Sequence, residues 1–121
     1  MIDVLYHWSP KRHREAIMQQ GLQVYKKVTV TSKGHRFAHT CCGVTPSAAW
    51  GLSGGMRHTL QLEDEVWDLW MIRPAQTDHL HICPFWGQHI EEVRICNTVP
   101  PDRIWWVGER TDIMLPIAEA E

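Results

Sequence analysis

Residues that could do chemistry lie at three places in the 121-residue chain. His7 ends a short apolar segment, where an imidazole can hydrogen-bond either a ligand or an internal partner. Glu91 and Glu92 are adjacent in a strand-like segment, so their side chains point to opposite faces and only one can face a cleft. The third place is a cluster of histidine and cysteine in the second half of the chain.

That cluster is the segment HLHIC, in which His79, His81 and Cys83 would share one face of a strand and could converge on a metal ion. His89 follows six residues after the cysteine. Pro84 indicates a bend, however, and no second pair has zinc-like spacing. We therefore expect no metal, and a His/Cys metal-binding protein is the less favoured alternative.

Composition predicts one domain over residues 1–121. The chain is 44% hydrophobic and has seven tryptophans, which is too apolar for a disordered segment and too interrupted for a membrane span. The start MIDVLYHWSP shows no secretory signal. Four cysteines without repeated spacing predict free thiols in a reducing compartment. We expect a cytoplasmic protein with no membrane partner.

Charge is unevenly distributed. Residues 1–40 carry seven Lys/Arg against two Asp/Glu, whereas residues 41–121 carry five against twelve. The basic end could face an anion. The sequence shows no aromatic–basic interleaving of the kind that marks nucleic-acid-binding proteins, so nucleic acid is expected only as a possible target of modification.

Cap and turn residues divide the chain into elements. Ser9-Pro10 and Thr45-Pro46 each predict a strand followed by a helix, and Gly21 predicts an αL helix end. The expected elements are strand 4–8, helix 10–20, strand 24–31, loop 32–40, strand 41–45, a helix ending at 53–55, short strand 59–62, central strand 66–72, loop 74–87, and strands 91–96 and 104–107. Early helices and late strands predict an α+β fold.

Four sequence segments, LYHWSP, QQGL, GVTPSAAW and EVRICNTVPPDRI, together resemble the small ADP-ribosyltransferase-like superfamily of the His-Tyr-Glu type. The first strand of such proteins ends in a histidine with a hydroxyl residue two positions later, and a later strand begins with the catalytic glutamate. The matching positions here are His7, Ser9, Gly21-Leu22, Glu92, Pro100, Pro101 and Ile104. The resemblance covers most of the chain and implies a compact split β-sheet with early short helices.

The resemblance implies an NAD-dependent enzyme that cleaves the nicotinamide–ribose bond and transfers ADP-ribose to a protein or nucleic-acid acceptor. The reaction passes through a cationic ribose, which the Glu92 carboxylate would stabilise. His7 would orient the dinucleotide. We expect the strand ends that bear these two residues to meet across one cleft.

Further contacts to the dinucleotide are expected from residues near these strand ends. Trp8, Tyr25 and Trp50 could stack on the cationic nicotinamide ring, and Ser9 follows the family's hydroxyl position. Thr45 and Ser47 are nearest to the family's middle residue, although either could instead cap a helix.

The acceptor of this transferase can be narrowed, and two further alternatives to it remain open. Ile90 stands where arginine-modifying transferases carry Glu or Gln, so arginine is disfavoured as the acceptor. A 2′-phosphotransferase-like activity would need Arg12, Arg14 and Arg36 in one cleft, and nothing in the sequence brings them together. A module that binds NAD or ADP-ribose without turnover would use the same cleft as an enzyme.

Overall fold

The structure, a computed structural model, describes residues 2–24, 28–31, 34–37, 39–59, 66–85 and 90–111. Its elements in chain order are β1 Leu5–Pro10, α1 Arg14–Gln20, β2 Val28–Thr31, β3 Gly34–Phe37, β4 Thr40–Cys42, α2 Pro46–Thr59, β5 Val66–Ile72, β6 Leu80–Phe85, β7 Ile90–Ile95 and β8 Ile104–Thr111. Short 3-10 helices at Lys11–His13 and Pro101–Arg103 precede α1 and β8. The predicted α+β fold is therefore confirmed. Within the described part, no helix is long and apolar enough to cross a membrane.

Six of the strands form two three-stranded antiparallel sheets, with orders β1-β5-β8 and β4-β7-β6, while β2 and β3 pair with each other. One isolated bridge connects the first sheet to the end of β4. Tyr6 and Gly43 each donate a backbone hydrogen bond to the other, at 2.8 and 2.9 Å. Because Gly43 directly follows β4, this single rung sets the two sheets side by side.

The strands bury side chains on both of their faces. On the first face, residues of both sheets pack with Ile17 of α1 in one core cluster: Leu5, Leu22, Cys42, Trp70, Ile72, Val93, Ile95, Val99 and Ile104. On the second face, α2 contributes to another cluster: Trp8, Ala49, Trp50, Trp67 and Leu69. We call these the α1 face and the α2 face. Burying each large apolar side chain contributes roughly 1.5–3 kcal/mol.

Gly21 ends α1, as predicted, and only glycine fits there. Its N–H donates to the Ile17 carbonyl at 2.8 Å, and its φ is 78°. The ψ of −168° differs from the predicted αL conformation and makes the chain leave the helix in an extended direction. A Cβ at this position would lie 1.9 Å from the main-chain oxygen of Val99.

The prediction that Ser9-Pro10 begins the first helix was wrong. Both residues belong to β1 and pair with Asp68 and Trp67 of β5. The Ser9 hydroxyl accepts a hydrogen bond from the Trp70 indole instead of capping a helix. A tertiary hydrogen bond from Trp70 therefore replaces the helix-capping hydrogen bond that the local sequence predicted for Ser9.

Other boundaries also differ from the prediction. The helix predicted to stop at 53–55 continues to Thr59, so the strand predicted over 59–62 begins on a helical residue, and residues 60–62 lie outside the described part. The predicted loop 32–40 contains β3, and the predicted loop 74–87 contains β6.

The central and late strands agree with the prediction. Strand β5 has the predicted bounds and lies between β1 and β8. Strands β7 and β8 correspond to the predicted strands 91–96 and 104–107, although β8 runs on to Thr111. Within the predicted strand 24–31, Val28–Thr31 form β2 and residues 25–27 lie outside the described part, while the predicted strand 41–45 overlaps β4 at Cys41 and Cys42.

Candidate functional site

Cys41 lies where the two sheets meet, and both predicted catalytic residues contact it. The Nδ1 atom of His7 is 2.7 Å from the main-chain oxygen of Cys41. The Cys41 thiol forms a hydrogen bond with the Glu92 carboxylate. His7 therefore contacts the main chain of Cys41, and Glu92 contacts its side chain.

The two residues approach Cys41 from different faces. His7 is two residues after Leu5 on β1, so its side chain lies on the same face as that of Leu5, the α1 face. Glu92 is next to the buried Val93, so it belongs to the α2 face of β7, where the Cys41 thiol also lies. The prediction that the strand ends bearing His7 and Glu92 meet across one cleft was therefore wrong. Both residues contact Cys41 at the gap between β1 and β4, but their side chains belong to opposite faces of the sheets.

His7 is the neutral partner in this arrangement. Burial of its ring lowers its pKa, and the hydrogen bond to the Cys41 carbonyl offsets part of that effect. At neutral pH the imidazole is therefore uncharged. Since Nδ1 donates its proton to the carbonyl, Nε2 is left as an acceptor.

Glu92 is the charged partner. Arg94 donates from Nε to Oε1 at 2.7 Å, and His39 Nε2 lies 4.0 Å from Oε2. Burial by itself raises the pKa of Glu92. The hydrogen bonds from Cys41 and Arg94, with the charges of Arg94 and His39, outweigh burial and hold the pKa below its ordinary value. The site therefore holds a buried, ionised carboxylate.

Glu91 occupies a different environment from its neighbour. It is exposed and lies on the other face of β7, where it pairs in register with Pro84 of β6. Of the two adjacent glutamates, the one named by the resemblance is the one that contacts Cys41 and Arg94.

The two described tryptophans expected to stack on nicotinamide lie in the second core cluster. Trp8 and Trp50 meet edge to face, with ring centroids 4.8 Å apart. The Trp8 indole donates to the Pro46 carbonyl at 3.0 Å. Trp50 also contacts Trp67 edge to face, and the Arg110 guanidinium covers it at 4.3 Å. These rings pack against one another within the protein.

The remaining predicted contacts are dispersed. Ser9 is buried with its hydroxyl bonded to Trp70. The Thr45 hydroxyl accepts from the Ala48 N–H at 3.0 Å, as a helix cap does. Ser47 is exposed in the first turn of α2. Tyr25 lies outside the described residues.

Three residues of the site were not singled out from the sequence. Arg94 had a usable signal, because a residue two positions after Glu92 on a strand shares its face. Cys41 had a weaker signal: it is next to the buried Cys42, so alternation along the strand points its side chain to the other face of the sheet. His39 precedes β4, and nothing in its spacing connects it to Glu92.

The candidate ligands of the metal-binding alternative do not form a cluster within the described residues. Opposite β7, His81 pairs in register with Arg94, and Cys83 with Glu92. No group of three or more His, Cys, Asp or Glu that could hold a metal ion is found within the described ranges. His89 lies outside them.

Comparisons of the chain with protein-family models, curated proteins and solved structures found no match.

Proposed function

We propose that the protein uses NAD as a substrate, cleaves its nicotinamide–ribose bond and transfers ADP-ribose to an acceptor. The observation that supports this best is the ionised carboxylate of Glu92, buried and fixed by Arg94 and Cys41. A fixed anion in a water-poor place stabilises a developing cation more strongly than a mobile carboxylate in water does.

The reaction needs such an anion at one step. As nicotinamide departs with the bonding electron pair, the anomeric carbon of the ribose becomes positively charged. Arg94 holds Oε1 of Glu92, and Oε2, which lies 4.0 Å from His39 Nε2, would accept from a ribose hydroxyl and stabilise that charge. The acceptor then attacks the same carbon and gives up its proton.

The reaction also requires the dinucleotide to be oriented, and a neutral His7 is compatible with that role. An imidazolium would repel the cationic nicotinamide ring, whereas the uncharged ring does not. Because His7 and Glu92 belong to opposite faces, His7 would act through Cys41, whose main-chain oxygen it holds at 2.7 Å beside the Glu92 carboxylate. His7 would then be a positioning residue that orients the dinucleotide site through Cys41 without exchanging protons.

A second candidate is a module that captures NAD or ADP-ribose without cleaving it. The observation that favours it is the Arg94 guanidinium at 2.7 Å, which already compensates the Glu92 charge. Binding of NAD or ADP-ribose would tolerate this compensation of the Glu92 charge, whereas stabilisation of the ribosyl cation would be weakened.

The test measures NAD affinity by calorimetry beside nicotinamide release, in the wild type and two variants. Glu92→Gln keeps the shape but removes the charge, so we expect affinity to survive while release falls by roughly a hundredfold or more. His7→Ala should lower both affinity and release. The matched control is Glu91→Gln, an exposed neighbour on the opposite face, which should change neither.

The outcomes separate the candidates. Wild-type protein that binds NAD or ADP-ribose tightly, yet releases no nicotinamide with any acceptor tried, would favour the capture module. Protein that binds neither nucleotide would remove both proposals.

A further inference from the structure

Three side chains form a row across the α2 face at the margin of the cluster covered by α2, against which the first of them, Tyr6, packs. In the register of the first sheet, Tyr6 pairs with Met71, and Met71 pairs with Trp105. Directly opposed residues share a face, so the three side chains lie side by side. Tyr6 and Met71 are half-buried, and Trp105 is 41% exposed. We call these three residues the aromatic row.

The aromatic row starts at the candidate site and ends at the outer edge of the sheet. Tyr6 forms the rung with Gly43, two residues after Cys41. Adjacent strands lie about 4.8 Å apart, so the row extends roughly 10 Å from Tyr6 to Trp105. A flexible ligand seated along it would have one end at the Cys41 junction.

Two arginine side chains lie on the same face as the aromatic row. Arg73, directly after β5, places its guanidinium 5.6 Å from the centroid of the Trp105 ring. Arg110 lies on the same face over Trp50. The fold has thus brought together the arginine–aromatic pairs that the linear sequence did not show.

Alternation separates charges between the two faces of the sheets. On the α2 face, the charged residues of β5, β7, β8 and the position after β5 are Arg73, Glu92, Arg94 and Arg110. On the α1 face, the corresponding residues are Asp68, Glu91 and Glu109. Among the described residues of these strands, the α2 face is therefore net positive, although the whole chain has a charge of −2.

We propose that the aromatic row binds a single-stranded nucleic-acid segment, which is the acceptor of the transferred ADP-ribose; this acceptor role rests on the proposed function. Unpaired bases would stack on Tyr6 and Trp105, and Arg73 would contact a phosphate. A duplex hides its base faces and does not fit. An acidic peptide could meet the charge but leaves the aromatic rings without flat partners.

The transfer step balances with this acceptor. A nitrogen or oxygen atom of the nucleotide attacks the anomeric carbon as the bond to nicotinamide breaks. The bonding electrons leave with nicotinamide, which becomes neutral, and the proton of the acceptor atom passes to solvent.

The experiment uses the full chain with fluorescently labelled single-stranded DNA, single-stranded RNA and duplex DNA of mixed sequence, and follows binding by anisotropy at several salt concentrations. Trp105→Ala should weaken binding roughly tenfold or more, the loss of one base–aromatic stack. Trp105→Tyr keeps an aromatic face and should retain most of the affinity. Val107→Ala, on the same strand and 45% exposed, is the matched control that should change nothing.

Arg73→Ala tests the phosphate contact separately. It should weaken binding and make the plot of log affinity against log salt less steep by about 0.7, the value for one phosphate contact on a single strand. A weaker affinity with an unchanged salt slope would contradict this contact.

The failures are distinguishable. Binding to either single strand that depends on Trp105 and Arg73 supports the inference, and the preferred strand shows whether the bound segment is DNA or RNA. Absence of binding, or binding that Trp105→Ala leaves intact, overturns it, while nicotinamide release in the same preparation tests the proposed function independently. Equal affinity for duplex and single strand also overturns it.

Discussion

At the residue scale, Asp78 shows how one carboxylate can hold two segments together. Its side chain is buried and receives both Nη atoms of Arg103, at 2.7 and 2.9 Å. The Ala75 N–H and the Asn97 amide donate to it as well. The Arg103 hydrogen bonds, partly opposed by burial, lower the pKa of Asp78 to about 2.

Asp78→Asn should therefore destabilise the protein by about 2 kcal/mol at pH 7, since the folded pKa lies well below the unfolded value near 4. A lowered pKa stabilises the fold above the unfolded pKa, and this contribution is lost as pH falls through the folded one. The difference from wild type should shrink between about pH 4 and pH 2. Urea unfolding of both proteins at pH 7 and pH 3 measures it.

The control for this pH effect is Asp3→Asn, at an exposed position. It should leave the free energy of unfolding within about 0.5 kcal/mol of wild type. A constant gap between Asp78→Asn and wild type across the acid range would contradict the role given to the carboxylate charge.

At the scale of elements, the end of α1 depends on one glycine. Gly21→Ala forces a side chain into a positive-φ conformation and places its Cβ 1.9 Å from the Val99 oxygen, a backbone atom that cannot rotate away. We expect a loss of more than about 3 kcal/mol in unfolding free energy, as for other strongly overpacked sites. Thermal unfolding followed by circular dichroism would detect it.

Gly108→Ala is the matched control, because a Cβ there has no atom within 4 Å. Its melting temperature should stay close to that of wild type. Equal destabilisation by both substitutions would mean that loss of glycine itself, and not the contact with Val99, is responsible.

How far the sequence predicts these elements depends on whether a local signal is opposed by a tertiary contact. Strand β5 was predicted correctly because its apolar run leaves few alternatives. Strand β6 was missed because Pro84 indicates a bend, yet β6 is an outer strand of its sheet, where proline is tolerated. Thr45 caps its helix as predicted, whereas Ser9, with the same signal, is held in β1 by Trp70.

The candidate site was predictable only in part for a related reason. Alternation indicates which of Glu91 and Glu92 shares a face with Arg94, but no spacing rule connects His7 to Cys41, 34 residues away. Their contact depends on the position of the rung between Tyr6 and Gly43, which joins β1 to the end of β4. That position is set by the packing of α2 as well as by the strands.

At the scale of the whole molecule, the packing of α2 against Gly43 fixes the junction of the sheets. A Cβ on Gly43 would lie 2.5 Å from the Ala49 backbone nitrogen. Gly43→Ala should therefore displace α2, open the rung with Tyr6 and lower NAD affinity in the calorimetric assay. Hydrogen exchange should show faster exchange of the Tyr6 amide, while Val44→Ala, an exposed neighbour, should not change it.

The isolated rung between Tyr6 and Gly43 also defines an axis. Each three-stranded sheet is held by its own pairings, with one register shift between β5 and β8, so a rotation of one sheet against the other concentrates its deformation at these two hydrogen bonds. Such a rotation would widen or narrow the gap that the His7 ring spans without breaking either ladder. Since α2 rests on Gly43, a ligand that tilts this helix would also change the angle between the sheets.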